Sequence, residues 1–310
     1  MSNKSKRLRL VDEYKKIISE LPFQTEDGDS FPVTEHYICP ICLETFNLNE
    51  LGDKANDLLT VEDVPPKSLG GNPLLITCRK CNSSCGHNLD VYLLNEIRYH
   101  DERMDFSKSK NTMLSCNGTS IRAKVTKDEH SGLKFDISRQ NNNPQQVDEF
   151  IRKVQESGDS WKVNANISLS DYKRNLEAAE IAVLKSAYLL AFKKLGYRYI
   201  LNTSLSPIRY QILNPDKDIL KRAYIVGNED KLPKGIPDGI FLATINSRKC
   251  IVVVLTFQLS QDKPKHRSAI ALPMPDDEEC LIYKNELCQN RKEEGNAHIT
   301  ILGPATVIEK

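Results

Sequence analysis

The sequence predicts an α+β fold, and three patterns predict it. Two Cys-x-x-Cys pairs, Cys39/Cys42 and Cys78/Cys81, bracket a strand-loop-strand pattern that runs into a helical one. Farther on, Asp171 to Leu195 carries apolar residues at helical spacing on more than one face, which marks a buried helix. Ile240 to Ile245 and Ile251 to Phe257 then flank Asn246-Ser247-Arg248-Lys249 as the arms of a hairpin. The expected organisation is an N-terminal helical arm over 1–35, a metal-bound unit over 36–105, and a mixed α/β domain over 115–310 built on the long helix and the hairpin.

Paired cysteines at this separation are a zinc signature. Each pair makes a tight knuckle that gives two thiolates to one tetrahedral ion. With Cys39, Cys42, Cys78 and Cys81 all ligating, no open position remains for chemistry, so the zinc is expected to be structural. The nine cysteines also include Cys85, Cys116, Cys250, Cys280 and Cys288. No signal peptide is legible, and free thiols in a reducing cytoplasm are the simpler expectation. The longest apolar run, Cys250 to Phe257, is far shorter than the roughly 20 residues that cross a bilayer, so no membrane partner is expected. Charged residues make up 27% but the net charge is +1, so any basic surface must be local.

Taken in order, Leu8, Leu10, Val11, Tyr14, Ile17 and Ile18 follow helical spacing, predicting an amphipathic helix from about 8 to 20. It is either a basic end packed on the body or a phosphate-contacting arm. Residues 23–36 read as a loop. A strand over 59–64 stops at Pro65-Pro66, Gly70-Gly71 permits a sharp return, and a strand over 74–77 enters the second knuckle. A helix through Leu89, Tyr92 and Ile97 follows. Residues 100–115 read as a connector, 119–126 and 133–138 as a hairpin, 144–157 as a helix with Pro144 at its start, and 161–169 as a strand. Gly196 closes the long helix, Ser206-Pro207 opens a short one to about Leu213, 260–268 is charged, and 298–302 is a last strand.

Between the knuckles lie the residues with chemical potential. Glu62 and Asp63 end the first strand, Asn72 sits in the return, and Asn82 begins the helix. A strand carboxylate and a polar group at a helix start can converge on a divalent cation such as Mg²⁺, which prefers oxygen ligands. A phosphate can be seated at a helix start, and Lys67, Arg79 and Lys80 are the local cations placed to contact phosphates. His87 is a second candidate for the same cleft, as a fold-supporting residue or as an accessory metal ligand or base.

Leu59 to Asn72 followed by Thr77 to Asp90 resembles the HNH endonucleases whose ββα-metal site is supported by a zinc ribbon. In particular it resembles the bacterial subgroup whose first strand reads Glu-His-Val-Pro-Pro-Lys-x-Leu-Gly-Gly. The resemblance covers roughly residues 36–95. It implies that Glu62 and Asn82 ligate a catalytic divalent cation (Mg²⁺ or another), that the next strand position is the general base, and that Asn72 orients it. It also implies hydrolysis of phosphodiester bonds, in double-stranded DNA more than in RNA, and a bacterial or phage-linked defence or toxin role.

This chain departs from the pattern at the base, where Asp63 stands in place of histidine. A solvated aspartate titrates at about 3.9, and a neighbouring cation lowers it further, which makes a weak proton acceptor at neutral pH. Three readings stay open: a slower nuclease, a catalytically inactive zinc-stapled module that binds nucleic acid or protein, and a histidine changed deliberately. The C-terminal domain would sense a signal, recruit a partner or a second copy, or choose the target.

Overall fold

Leu10, Val11 and Tyr14 form the buried face of α1 (Asn3–Ile18), which starts earlier than the spacing alone suggests. The Arg7 guanidinium donates from Nη1 to the Leu59 carbonyl at 3.0 Å, so this helix is docked on the body rather than a free arm. The computed structural model describes residues 3–18, 36–48, 58–128, 132–157, 162–220, 225–228, 232, 235–245, 248–274 and 299–304. Apart from His36, the loop expected over 23–36 lies outside them, as do Cys280 and Cys288.

The first cysteine pair sits in a small hairpin, β1 (His36–Ile38) against β2 (Thr45–Asn47). Next come β3 (Leu59–Val64) and β4 (Asn72–Cys78), antiparallel, with Leu59 opposite Cys78 and Val64 opposite Asn72. The register shifts once, between Glu62 and Asp63. The return between them is tight: a Cβ on Gly71 would fall 1.4 Å from the Pro65 carbonyl oxygen. Chain then enters α2 (Arg79–Cys85), where the Cys78 sulfur accepts from the Cys81 N–H. A π turn at Gly86–Asp90 carries it into α3 (Val91–Met104). The expected strand, loop, strand and helix are all present, with β4 beginning two residues early and the helical run reaching Met104.

Residues 98–173 form a second compact unit with its own core. It holds β5 (Lys110–Cys116), β6 (Thr119–Lys127), β7 (Leu133–Asp136), α4 (Pro144–Glu156) and β8 (Asn164–Ile167) in a four-stranded sheet ordered β7-β6-β5-β8. Val147 and Phe150 of α4 cover Leu114, Cys116, Ile121 and Ala123. The expected hairpin, helix and last strand are here, but the segment read as a connector contributes β5. Its buried Thr112, Leu114 and Cys116 alternate with more exposed positions, a period hidden in the sequence by a polar Thr112 inside and an apolar Met113 outside.

The chain returns to the first unit through α5 (Leu176–Ile200), capped by the Asn175 side chain. Gly196, at φ 72°, interrupts the helix as expected, but helical residues resume at Tyr197. After α6 (Ser206–Leu213) come β9 (Ile225–Asn228), β10 (Gly239–Ile245), β11 (Arg248–Phe257), β12 (His266–Leu272) and β13 (Ile299–Pro304). They form one antiparallel sheet ordered β13-β10-β11-β12-β9. The β10–β11 hairpin and β13 were expected; β12 begins inside the segment read only as charged.

The division of the chain at about residue 105 does not hold. Met1–Ile97 and Arg174–Lys310 make up one compact unit, because α5 belongs to both expected domains. Its buried Ile181, Leu184, Tyr188 and Phe192 share one hydrophobic cluster with Leu75, Ile76 and Leu89 on one side and Ile251, Val253 and Ile270 on the other. Hydroxyls add direction: Tyr188 donates to the Pro40 carbonyl at 2.6 Å, and Tyr197 to that of Ile38. Among the described residues no helix is long and apolar enough to cross a membrane.

Two substitutions test this core. Phe192 stacks on Tyr14 with ring centroids 5.1 Å apart and meets Tyr197 edge-on, so Phe192→Ala should cost about 3–5 kcal/mol in urea unfolding. Gly71→Ala should cost about 1–3 kcal/mol, since backbone must move to admit the methyl group.

Candidate metal centre and the buried lysine beside it

Hairpin β1–β2 and the end of β4 bring Cys39, Cys42, Cys78 and Cys81 together, with all four sulfurs within 4.8 Å of one another. The Cys42 and Cys78 sulfurs are 3.8 Å apart. Zinc–sulfur bonds of about 2.3 Å arranged tetrahedrally place sulfurs about 3.8 Å apart, so the spacing fits. Backbone N–H groups support the thiolates: Cys81 donates to Cys78 Sγ at 3.3 Å and Cys78 to Cys39 Sγ at 3.4 Å. These four residues can hold a metal ion such as zinc. Cys85, buried nearby, is not among them, and burial pushes its thiol up to about 12.

The rest of the expected site is arranged differently. Glu62 is 4% exposed and faces the interior rather than a wet cleft. Its Oε1 accepts from Lys185 Nζ at 2.8 Å and its Oε2 from the Thr77 hydroxyl at 3.2 Å. Lys185, 1% exposed on α5, donates also to Asp90 Oδ2 at 2.7 Å. Burial raises the Glu62 carboxyl, while the Lys185 ammonium pulls it back. For Lys185, burial works against the charged form, but Glu62 and Asp90 outweigh it and the net shift is upward. The group is therefore an ammonium held by two carboxylates.

Consecutive strand residues point to opposite faces, and Asp63 is correspondingly half-exposed. Burial outweighs Lys67 and Lys6 and raises its carboxyl, the reverse of the lowering expected from a neighbouring cation. Asn82 does face β3, but its amide nitrogen is committed there, donating to Thr60 Oγ1 and to the Val61 carbonyl, each at 3.0 Å. It fastens α2 to the strand from the helix's fourth position, because the helix begins at Arg79 rather than at Asn82 as expected. Asn72 is exposed at the start of β4, and His87 is exposed on the π turn. Lys67, Arg79 and Lys80 are exposed, with Lys80 4.0 Å from Glu44. The structure thus commits Glu62 to Lys185 and Thr77 and Asn82 to β3, and leaves Asp63 half-exposed and Asn72 and His87 exposed.

A catalytic divalent cation does not fit these residues as they stand. Both Glu62 oxygens have partners, and one of those partners is itself a cation. No family model matches the chain, and no curated protein or solved structure matches it significantly. Missed in the sequence were Asp90 and Lys185. The second had a signal: a lone lysine inside the apolar run Ile181 to Phe192 must find a partner when that helix is buried.

Denatured protein should release about one zinc per chain to a colorimetric chelator. Acidification should release it from folded protein as the thiolates protonate, and Cys39→Ser should lower the metal content of purified protein.

Proposed function

We propose that this protein is a zinc-stapled nucleic-acid-binding module built on an HNH-like ββα unit, which holds a duplex without hydrolysing it. The observation that carries the reading is Glu62: the carboxylate that would ligate a catalytic cation is buried with both oxygens engaged. The resemblance of residues 36–95 to HNH endonucleases supplies the binding half of the proposal. Lys67, Arg79 and Lys80 remain exposed on the same unit, where they serve as phosphate contacts that position a duplex without reading its sequence. Asp63 fits the same picture in that it stands where the resembled family carries its imidazole base. In this reading the zinc is structural, holding the β1–β2 hairpin against the end of β4.

Metal-dependent cleavage of DNA is the second reading. Its support is the intact β3–β4–α2 order, with the Asn82 side chain of α2 turned toward β3. It requires Glu62 to leave Lys185, and the two readings separate in one assay. Plasmid nicking with Mg²⁺, Mn²⁺ or Ni²⁺ should be undetectable for the wild type and for Asp63→His, because the histidine alone does not free Glu62. Duplex DNA should nevertheless be retarded, with an affinity that falls steeply with salt. Lys67→Ala, Arg79→Ala and Lys80→Ala should each lower the slope of that salt dependence by about 1. Nicking by the wild type would establish the second reading; absence of DNA binding at low salt would defeat the first.

A further inference from the structure

We infer that the Lys185 ammonium is a built-in surrogate for a divalent cation, and that removing it opens a two-carboxylate metal site formed by Glu62 and Asp90. The inference goes beyond nucleic-acid binding and stands on the triad alone. Lys185 Nζ lies 2.8 Å from Glu62 Oε1 and 2.7 Å from Asp90 Oδ2, so one point charge bridges a strand carboxylate and a carboxylate from the following helical run. A hard divalent cation also takes carboxylate oxygens as ligands, at about 2.0–2.6 Å, so the two carboxylates would draw slightly closer around it.

Two details make the surrogate incomplete. Glu62 and Asp90 each bring a negative charge and Lys185 a single positive one, so the triad keeps an excess that a divalent ion would cancel. In addition, Asp90 Oδ1 is buried with no hydrogen-bond partner among the described residues. A metal ion can recruit that idle oxygen, whereas the ammonium does not. Nearby Thr77, whose hydroxyl donates to Glu62 Oε2, would keep the glutamate oriented in either state. Lys185 comes from α5, far along the chain, so the plug and the carboxylates it closes lie on separate segments.

The test uses the full zinc-loaded chain and Mn²⁺ as a hard-cation probe, followed by the loss of the free-ion electron paramagnetic resonance signal. Wild type should take up no Mn²⁺ that a Glu62→Gln variant fails to take up. Lys185→Ala should bind about one Mn²⁺ per chain, and its Tm should rise with Mn²⁺ concentration. Adding Glu62→Gln to Lys185→Ala should abolish both effects. Should Lys185→Ala be unfolded without added metal, recovery of its near-ultraviolet circular dichroism by Mn²⁺ supports the site, and no recovery overturns it. A folded Lys185→Ala that binds no Mn²⁺, or a wild type that binds Mn²⁺ through Glu62, also overturns it. DNA retardation by the wild type is scored separately, so failure of nucleic-acid binding and failure of the metal site are distinct results.

Discussion

A single ammonium joins three segments that are distant in the chain. Lys185 reaches from α5 to Glu62 on β3 and to Asp90 at the end of the π turn. Taking such groups out of water costs several kcal/mol per ion, and only close geometry offsets it, so a buried triad adds less to net stability than to specificity. Its effect is to dictate which way β3 faces. Glu62 is drawn inward, Asp63 is half-exposed, and Asn82 ties α2 to the strand. The chemistry available to the ββα unit is therefore decided by a residue outside it.

The same helix explains why the segment carrying the four cysteines is not a freestanding domain. A two-stranded hairpin with one helix buries little apolar surface, and a metal clamp is one remedy. Here the clamp is joined by packing. Leu75, Ile76 and Leu89 lie in one cluster with α5, and Tyr188 and Tyr197 hydrogen-bond to carbonyls beside the first cysteine pair. The far end of the hairpin is tied as well, since the Gln258 N–H donates to the Leu69 carbonyl at 3.1 Å. A residue such as Lys185 can be this deeply buried only because the helix carrying it is covered on more than one side.

Much of this was legible in the sequence and some was not, for physical reasons that differ by element. The cysteine pairs, the β3–β4 return at Gly70-Gly71, the long helix and the β10–β11 hairpin carry local signals: ligand spacing, glycine geometry and apolar periodicity. By contrast β5 and β12 are made of short or polar-looking runs whose strand state depends on sheet neighbours, and no local pattern announces it. The domain division failed because a helix apolar on several faces was assigned to one partner when it serves two. For the site, the adjacency of Glu62 and Asp63 invited a shared role, yet strand alternation separates them. Lys185 was visible as an anomaly in an apolar run, but its partners lie in another part of the chain.

The discontinuity of the larger unit has a consequence for biosynthesis. Chains emerge from the ribosome in order and tend to fold as whole units once their parts are available. The second cysteine pair appears long before α5, because the whole of residues 98–173 must be made in between. Until that helix arrives, Glu62 and Asp90 face solvent with no ammonium to meet them, and the apolar side of the ββα hairpin has nothing to rest on. The nascent protein thus passes through an interval in which its metal knuckles can close while its carboxylates stand open, a state that the finished fold erases.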